Sequence, residues 1–169
     1  VCSSDLAKLY YPDDTIQHAG VVVGLGGVAA HVLCKLPRDA EGYMGRLRCV
    51  QEISAVTAAC MMVKTSVFKA VGGFDEELKV AFNDIDLCMK VRKYGVKIVF
   101  TPYAELYHYE SKSRGMEDTP EKQLRFSREV NCFRRKWERE LLKGDPYYNP
   151  NLTLNNTDCS LRKQEKNGD

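Results

Sequence analysis

The sequence has no two cysteines at the spacing of a zinc knuckle or a redox motif. Its seven cysteines are odd in number and scattered from Cys2 to Cys159. Neither a disulfide framework nor a structural zinc site follows from such a pattern, and reduced thiols in a cytoplasmic protein are the expectation. Long apolar runs are also missing. The longest uncharged stretch, Ala19 to Val32, is interrupted by four glycines and falls short of the ~20 residues that span a bilayer. Charge of one sign is not in excess either: 25 Lys and Arg face 23 Asp and Glu, for a formal net charge of +2. Nucleic-acid binding calls for a concentrated basic face, so no nucleic-acid partner is expected. What is present suits a packed interior. The 169 residues are 44% hydrophobic and 28% charged, enough for one domain or one part of a larger one.

The chain begins without Met, and residues 1–6 (Val1-Cys2-Ser3-Ser4-Asp5-Leu6) read as the translation of a sequencing adapter, GTG-TGC-TCT-TCC-GAT-CT. These six residues are therefore set aside from the fold, and the protein is expected to extend upstream. Residues 7–145 carry the patterned part of the chain. Residues 146–169 end in Arg162-Lys-Gln-Glu-Lys-Asn-Gly-Asp169, a polar composition that predicts a mobile tail.

Between these ends, Thr15–Gln17 and Ala19–Val23 read as short strands, and Gly24-Leu25-Gly26-Gly27 forces a tight turn. Residues 37–52 read as a surface loop with a helical turn. Ser54–Val63 has the length and apolarity of a strand, and a short helix opens at Lys64-Thr65-Ser66 and stops at Gly72-Gly73. Asn83–Tyr94 is the clearest helix: Asn83 is a natural cap, and Leu87, Cys88, Val91 and Tyr94 form one stripe before Gly95. Val96–Phe100 and Ala104–His108 read as two strands broken at Thr101-Pro102. A last helix, 120–143, starts at Thr119-Pro120 and repeats Phe126, Val130, Phe133, Trp137 and Leu141 at helical spacing. Strands alternating with helices predict an α/β layered fold.

Three constellations carry possible chemistry. Gly24-Leu-Gly26-Gly-Val-Ala29 satisfies the letters of a dinucleotide fingerprint, the basis of an alternative reading as an oxidoreductase fragment. The next strand and its acidic ribose ligand are absent, so a glycine-rich hairpin accounts for it better. Asp84 and Asp86 occupy the first turn of the clearest helix, where acids complement the helix dipole. Asn83 and Asp86 suffice for capping, which leaves the Asp84 carboxylate available as a general base or metal ligand. His108 ends a strand and is followed within six residues by Lys112 and Arg114, a set suited to a phosphate-bearing ligand. His18 and His31 lack such company and read as structural.

Taken in order, Thr57-Ala-Ala-Cys-Met-Met-Val63, Val71-Gly-Gly-Phe-Asp-Glu76, Asn83-Asp-Ile-Asp-Leu-Cys88, Ile98-Val-Phe-Thr-Pro102 and Leu106-Tyr-His108 resemble the C-terminal half of bacterial family-two glycosyltransferases of the GT-A fold. The likeness extends to Ile16-Gln-His-Ala-Gly-Val-Val22 and Gly144-Asp-Pro-Tyr-Tyr-Asn-Pro150. It implies the acceptor-side half of a mixed sheet flanked by helices, and inverting transfer from a nucleotide-sugar donor to a saccharide or lipid-linked saccharide hydroxyl. It further implies Asp84 as catalytic base, with Thr57, Phe74, Asp75 and Asp86 as acceptor contacts. Lys112 and Arg114 would hold the diphosphate, and His108 a divalent cation (Mg or Mn) shared with an upstream D-x-D pair. Two departures stand out: Asn83 replaces the family's usual Glu, and no donor D-x-D precedes the matched region. A non-catalytic saccharide-binding module is the other alternative. Basic residues on helix 120–143 are compatible with peripheral association at the inner face of the plasma membrane.

Overall fold

The computed structural model describes residues 4–109 and 119–163. Their strands are β1 (Ser4–Tyr10), β2 (Ile16–His18), β3 (Val21–Val23), β4 (Ala29–His31), β5 (Gln51–Glu52), β6 (Met61–Val63) and β7 (Ile98–Tyr107). The helices are α1 (Thr65–Ala70), α2 (Asn83–Lys93), α3 (Pro120–Lys136) and α4 (Glu138–Lys143). β1 is the centre of a mixed sheet. One of its edges is shared by β6, antiparallel to Ser4–Leu6, and by β2, antiparallel to Leu9 and Tyr10. Its other edge runs parallel to β7, whose far side carries β5. β3 and β4 form a separate hairpin. The α/β expectation holds at this level: a mixed sheet with a few helices against it.

β1 was not expected, because setting aside residues 1–6 left only a short segment interrupted by Lys8. In the fold Ala7, Leu9 and Tyr10 are buried, and Lys8 is buried with them, donating from Nζ to the Arg38 carbonyl at 3.1 Å. β7 is one strand rather than two. Ala7 pairs with Thr101 and the next residue, Lys8, with Glu105, so Pro102 falls in a bulge where it need not donate to the ladder. The apolar run Ser54–Val63 yields only the short β6. Ile53, Ala55 and Val56 are fully buried in irregular backbone, and a 3-10 turn occupies Ala58–Cys60. Burial on all sides made this stretch look like a strand.

The glycine-rich segment is a hairpin. A 3-10 turn, Leu25–Gly27, joins β3 to β4, and no helix opens after the glycines. The dinucleotide geometry is therefore absent, since it needs a helix N-terminus on the phosphates. Residues 146–163 pack instead of trailing away: Tyr148, Leu152, Thr153 and Cys159 are buried. The Gly26 and Leu33 amides donate to the Leu154 and Thr157 carbonyls at 2.8 and 2.7 Å. The expected long terminal helix is two segments, α3 and α4, separated at Trp137 (φ −113°, ψ 22°). All six cysteines of the described residues are free thiols.

Candidate active site

The N-terminus of α2 is held from two sides. Phe82 precedes it in the left-handed region (φ 62°) and packs on Phe133 and Phe126 of α3, with ring centroids 5.4 and 5.8 Å away. Glu129 of α3 is buried, and its two carboxylate oxygens accept the Val80 and Ala81 amides at 3.1 and 2.9 Å. This residue escaped the sequence reading because a Glu beside a stripe of apolar helix positions looks like a solvated charge. Its signal was present only as a position next to Val130 and Phe133. Asn83 does not cap α2; Phe82 holds the cap position, while Asn83 Oδ1 accepts the Asp84 amide at 2.7 Å.

Asp84 is half-buried at this helix mouth. Its Oδ2 accepts the Ala58 amide at 3.1 Å and its Oδ1 the Ile85 amide at 2.8 Å. Both oxygens are thus oriented by backbone donors. The 3-10 turn beside it distributes three successive amides: Thr57 N to His18 Nε2 at 3.5 Å, Ala58 N to Asp84, and Ala59 N to Thr57 Oγ1 at 3.3 Å. Thr57 therefore spends its hydroxyl as an acceptor for its own turn.

His18 is fully buried, and its Nδ1 lies 2.8 Å from His31 Nδ1, the rings meeting edge to face. Desolvation first, then His31 and His108, holds its pKa well below the usual imidazole value, so it is neutral. With Nε2 accepting from Thr57, its proton sits on Nδ1 and points at His31. His108 meets Gln17 instead. The Gln17 amide nitrogen donates to the His108 carbonyl at 3.2 Å, which turns its oxygen toward His108 Nδ1 at 2.8 Å. In the neutral ring that contact puts the proton on Nδ1, which makes Nε2 the nitrogen able to accept. Gln17 and His18 are successive residues of β2 and leave it on opposite faces. The Thr57–Ala58 turn links His18 to Asp84, while His108 meets Gln17 and lies near enough to act on His18 electrostatically; no hydrogen bond joins Asp84 and His108.

The remaining expected contacts divide. Phe74 is exposed, edge-on to Phe68 at 5.5 Å. The Asp75 carboxylate is partly exposed and pairs with Lys136, which, with the Glu77 amide, holds its pKa below the usual range. Asp86 is sealed: it has no exposure, its Oδ1 accepts the Trp137 indole N–H and Lys136 Nζ, both at 2.8 Å, and its Oδ2 lies 3.1 Å from Lys90 Nζ. Oδ2 forms that ion pair but no hydrogen bond, and the side chain has no exposure through which an acceptor could reach it. Lys112 and Arg114 lie outside the described residues. Among the described residues no group of three or more His, Cys, Asp or Glu is placed to hold a metal ion. Cys88 is no thiolate candidate, because burial pushes its thiol up to about 12.

The chain is similar to longer proteins. It is 59% identical over 156 residues to a Sinorhizobium fredii protein named "Uncharacterized protein y4gI", a match covering 92% of this chain and 17% of that protein. It is 39% identical over 163 residues to the O-antigen biosynthesis protein RfbC of Myxococcus xanthus, covering 96% of this chain and 12% of that one. A shorter match, 36% identical over 62 residues, is to an N-acetylglucosaminyl-diphospho-decaprenol L-rhamnosyltransferase of Mycobacterium tuberculosis, covering 37% of this chain and 20% of the enzyme. The chain thus spans less than a fifth of the length of the first two relatives. These names point to glycosyltransferases and polysaccharide synthesis. No family model and no solved structure matches the chain. No helix among the described residues is long and apolar enough to cross a membrane.

Proposed function

We propose that this chain is the acceptor-side part of an inverting, family-two glycosyltransferase of the GT-A fold, acting in cell-surface polysaccharide synthesis. The observation that carries the reading is Asp84: a half-buried carboxylate at a helix mouth, each oxygen oriented by a backbone amide, on an element braced by Glu129. A sugar hydroxyl is a poor nucleophile. A carboxylate fixed within hydrogen-bond reach takes its proton as the bond to the anomeric carbon forms, an effect worth roughly 10²–10⁴ in rate. Phe74 offers an exposed ring for the apolar face of an acceptor sugar, and Asp75 and Thr57 are assigned as further acceptor contacts. Asp86 is assigned to packing instead. The donor is a nucleotide sugar, the acceptor a saccharide or lipid-linked saccharide, and the place of action the inner face of the plasma membrane.

A divalent cation (Mg or Mn) would neutralise the departing diphosphate. His108 fits as one of its ligands, since the Gln17 contact leaves its Nε2 lone pair available, while Lys112 and Arg114 would meet the phosphates. The test is an Asp84→Asn substitution in the full-length protein. Sugar transfer should fall at least a hundredfold while the unfolding midpoint stays close to that of the parent. Intact turnover would refute the base assignment and favour a non-catalytic saccharide-binding module.

A further inference from the structure

A hollow of about 550 Å³ lies where the end of α2, α4 and the loop following α4 meet, a size typical of small-molecule sites. Neither Asp84 nor His108 lines it, so it is separate from the candidate active site. Met89, Val96 and Trp137 give it an apolar lining. Two polar anchors hold its walls in place. The Trp137 indole is tied to Asp86 at 2.8 Å. Asp145 ties the 144–147 loop down, accepting the Ser54 hydroxyl at 2.6 Å and the Val23 and Tyr147 amides at 2.8 Å.

Four cations, Arg92, Lys93, Lys97 and Lys143, and three carboxylates, Glu52, Glu140 and Asp145, line this hollow, a formal excess of +1. Asp145 accepts only neutral donors in those anchors and keeps its charge, and Glu52 is engaged by Lys97 and by the Tyr147 hydroxyl. Arg92, Lys93 and Lys143 also line the hollow, and no carboxylate of the described residues forms an ion pair with any of them. Arg92 lies over the Tyr147 ring at 5.4 Å and Lys93 over Trp137 at 5.8 Å, so aromatic faces hold two of the cations beside the apolar lining. Glu140 is the one lining carboxylate left without a partner. The carbonyl ends of α2 and α4 also lie beside these cations, so the attraction for an anion comes from Arg92, Lys93 and Lys143 having no ion pair rather than from a large net charge.

We infer that this hollow binds a phosphate monoester bearing an apolar group. The dianionic head meets Arg92, Lys93 and Lys143, and the apolar part lies against Trp137, Met89 and Val96. A guanidinium and two ammonium groups lining one hollow suit a tetrahedral dianion with three acceptor oxygens better than a single carboxylate. The site stands independently of the transferase reading.

Trp137 is the chain's single tryptophan and lines the hollow, so its fluorescence reports occupancy. The chain is titrated with octyl phosphate, inorganic phosphate and octanol, each below the concentration at which it aggregates. Octyl phosphate should produce a saturable change with a Kd at least tenfold lower than either of the other two. Lys143→Glu and the double variant Arg92→Glu/Lys143→Glu should weaken it at least tenfold. Lys143 is exposed at the end of a short helix, so the single variant keeps the fold, and its unfolding midpoint checks this. Octanol binding as tightly as octyl phosphate, inorganic phosphate binding as tightly, unaltered binding by the variants, or no saturable change would each overturn the assignment.

Discussion

Replacing Asp86 by Ala separates a packing role from a binding role, because the structure assigns all its contacts to the protein. The substitution orphans the indole N–H of Trp137, a residue only 4% exposed, which costs about 1–3 kcal/mol. Lys90 and Lys136 lose their shared partner too, but their side chains are 18% and 32% exposed and can turn to water. Their share is therefore held to about 0–1 kcal/mol each. The sum is about 1–5 kcal/mol, a large part of the ~5–15 kcal/mol that stabilises a typical domain. Asp86→Asn keeps an acceptor for the indole and should cost less, about 1–2 kcal/mol. Urea unfolding followed by the fluorescence of Trp137 measures both variants with a reporter in direct contact with the mutated site. An Asp86→Ala protein within 0.5 kcal/mol of the parent would show that the buried cluster contributes nothing net, and the assignment of Asp86 to packing would fail.

Other perturbations address the remaining elements. His18 is buried neutral, with its folded pKa below the unfolded value, so its contribution is complete above about pH 6.5 and is lost as pH falls from there toward the folded pKa. Stability should drop by up to about 1.4 kcal/mol per pH unit below pH 6.5; a flat profile down to pH 5.5, or one unchanged by His18→Gln, counts against it. Gly42 (φ 68°, ψ −171°) occupies backbone nearly restricted to glycine, and a Cβ there would sit 2.7 Å from Leu47 Cγ and 2.9 Å from Leu33 Cδ1. Gly42→Ala should therefore cost about 2–5 kcal/mol in urea unfolding. Gly26 has open space around it, so Gly26→Ala should cost only about 1–2 kcal/mol, and equal losses at the two sites would refute the steric argument.

Features that announce themselves within a few residues were legible from the sequence. The extent of α2 followed from its apolar spacing and from Gly95, and α3 from Thr119-Pro120, where the Thr119 hydroxyl accepts the Lys122 amide at 3.4 Å. The glycines at 24, 26 and 27 announced the hairpin between β3 and β4. Asp84 stood out because two neighbours sufficed for capping, although the cap itself went to Phe82. Other features depended on partners far along the chain. Asp86 and Glu129 look like surface charges on their own helices and become interior groups only when α3 brings Trp137 to one and Val80 and Ala81 to the other.

The sequence by itself determined where the turns and most helices fall, because backbone preference and side-chain periodicity act over one or two helical turns. Tertiary structure alone decided that β1 is the sheet's centre, that Pro102 hides in a bulge of one long β7, and that residues 146–163 fold back onto the hairpin. It also decided which acids are sealed and which lining cations lack an ion pair. Burial and pairing are properties of surfaces meeting across 50 or more positions, such as Asp86 and Trp137 at a separation of 51, and local periodicity does not encode which surface will arrive.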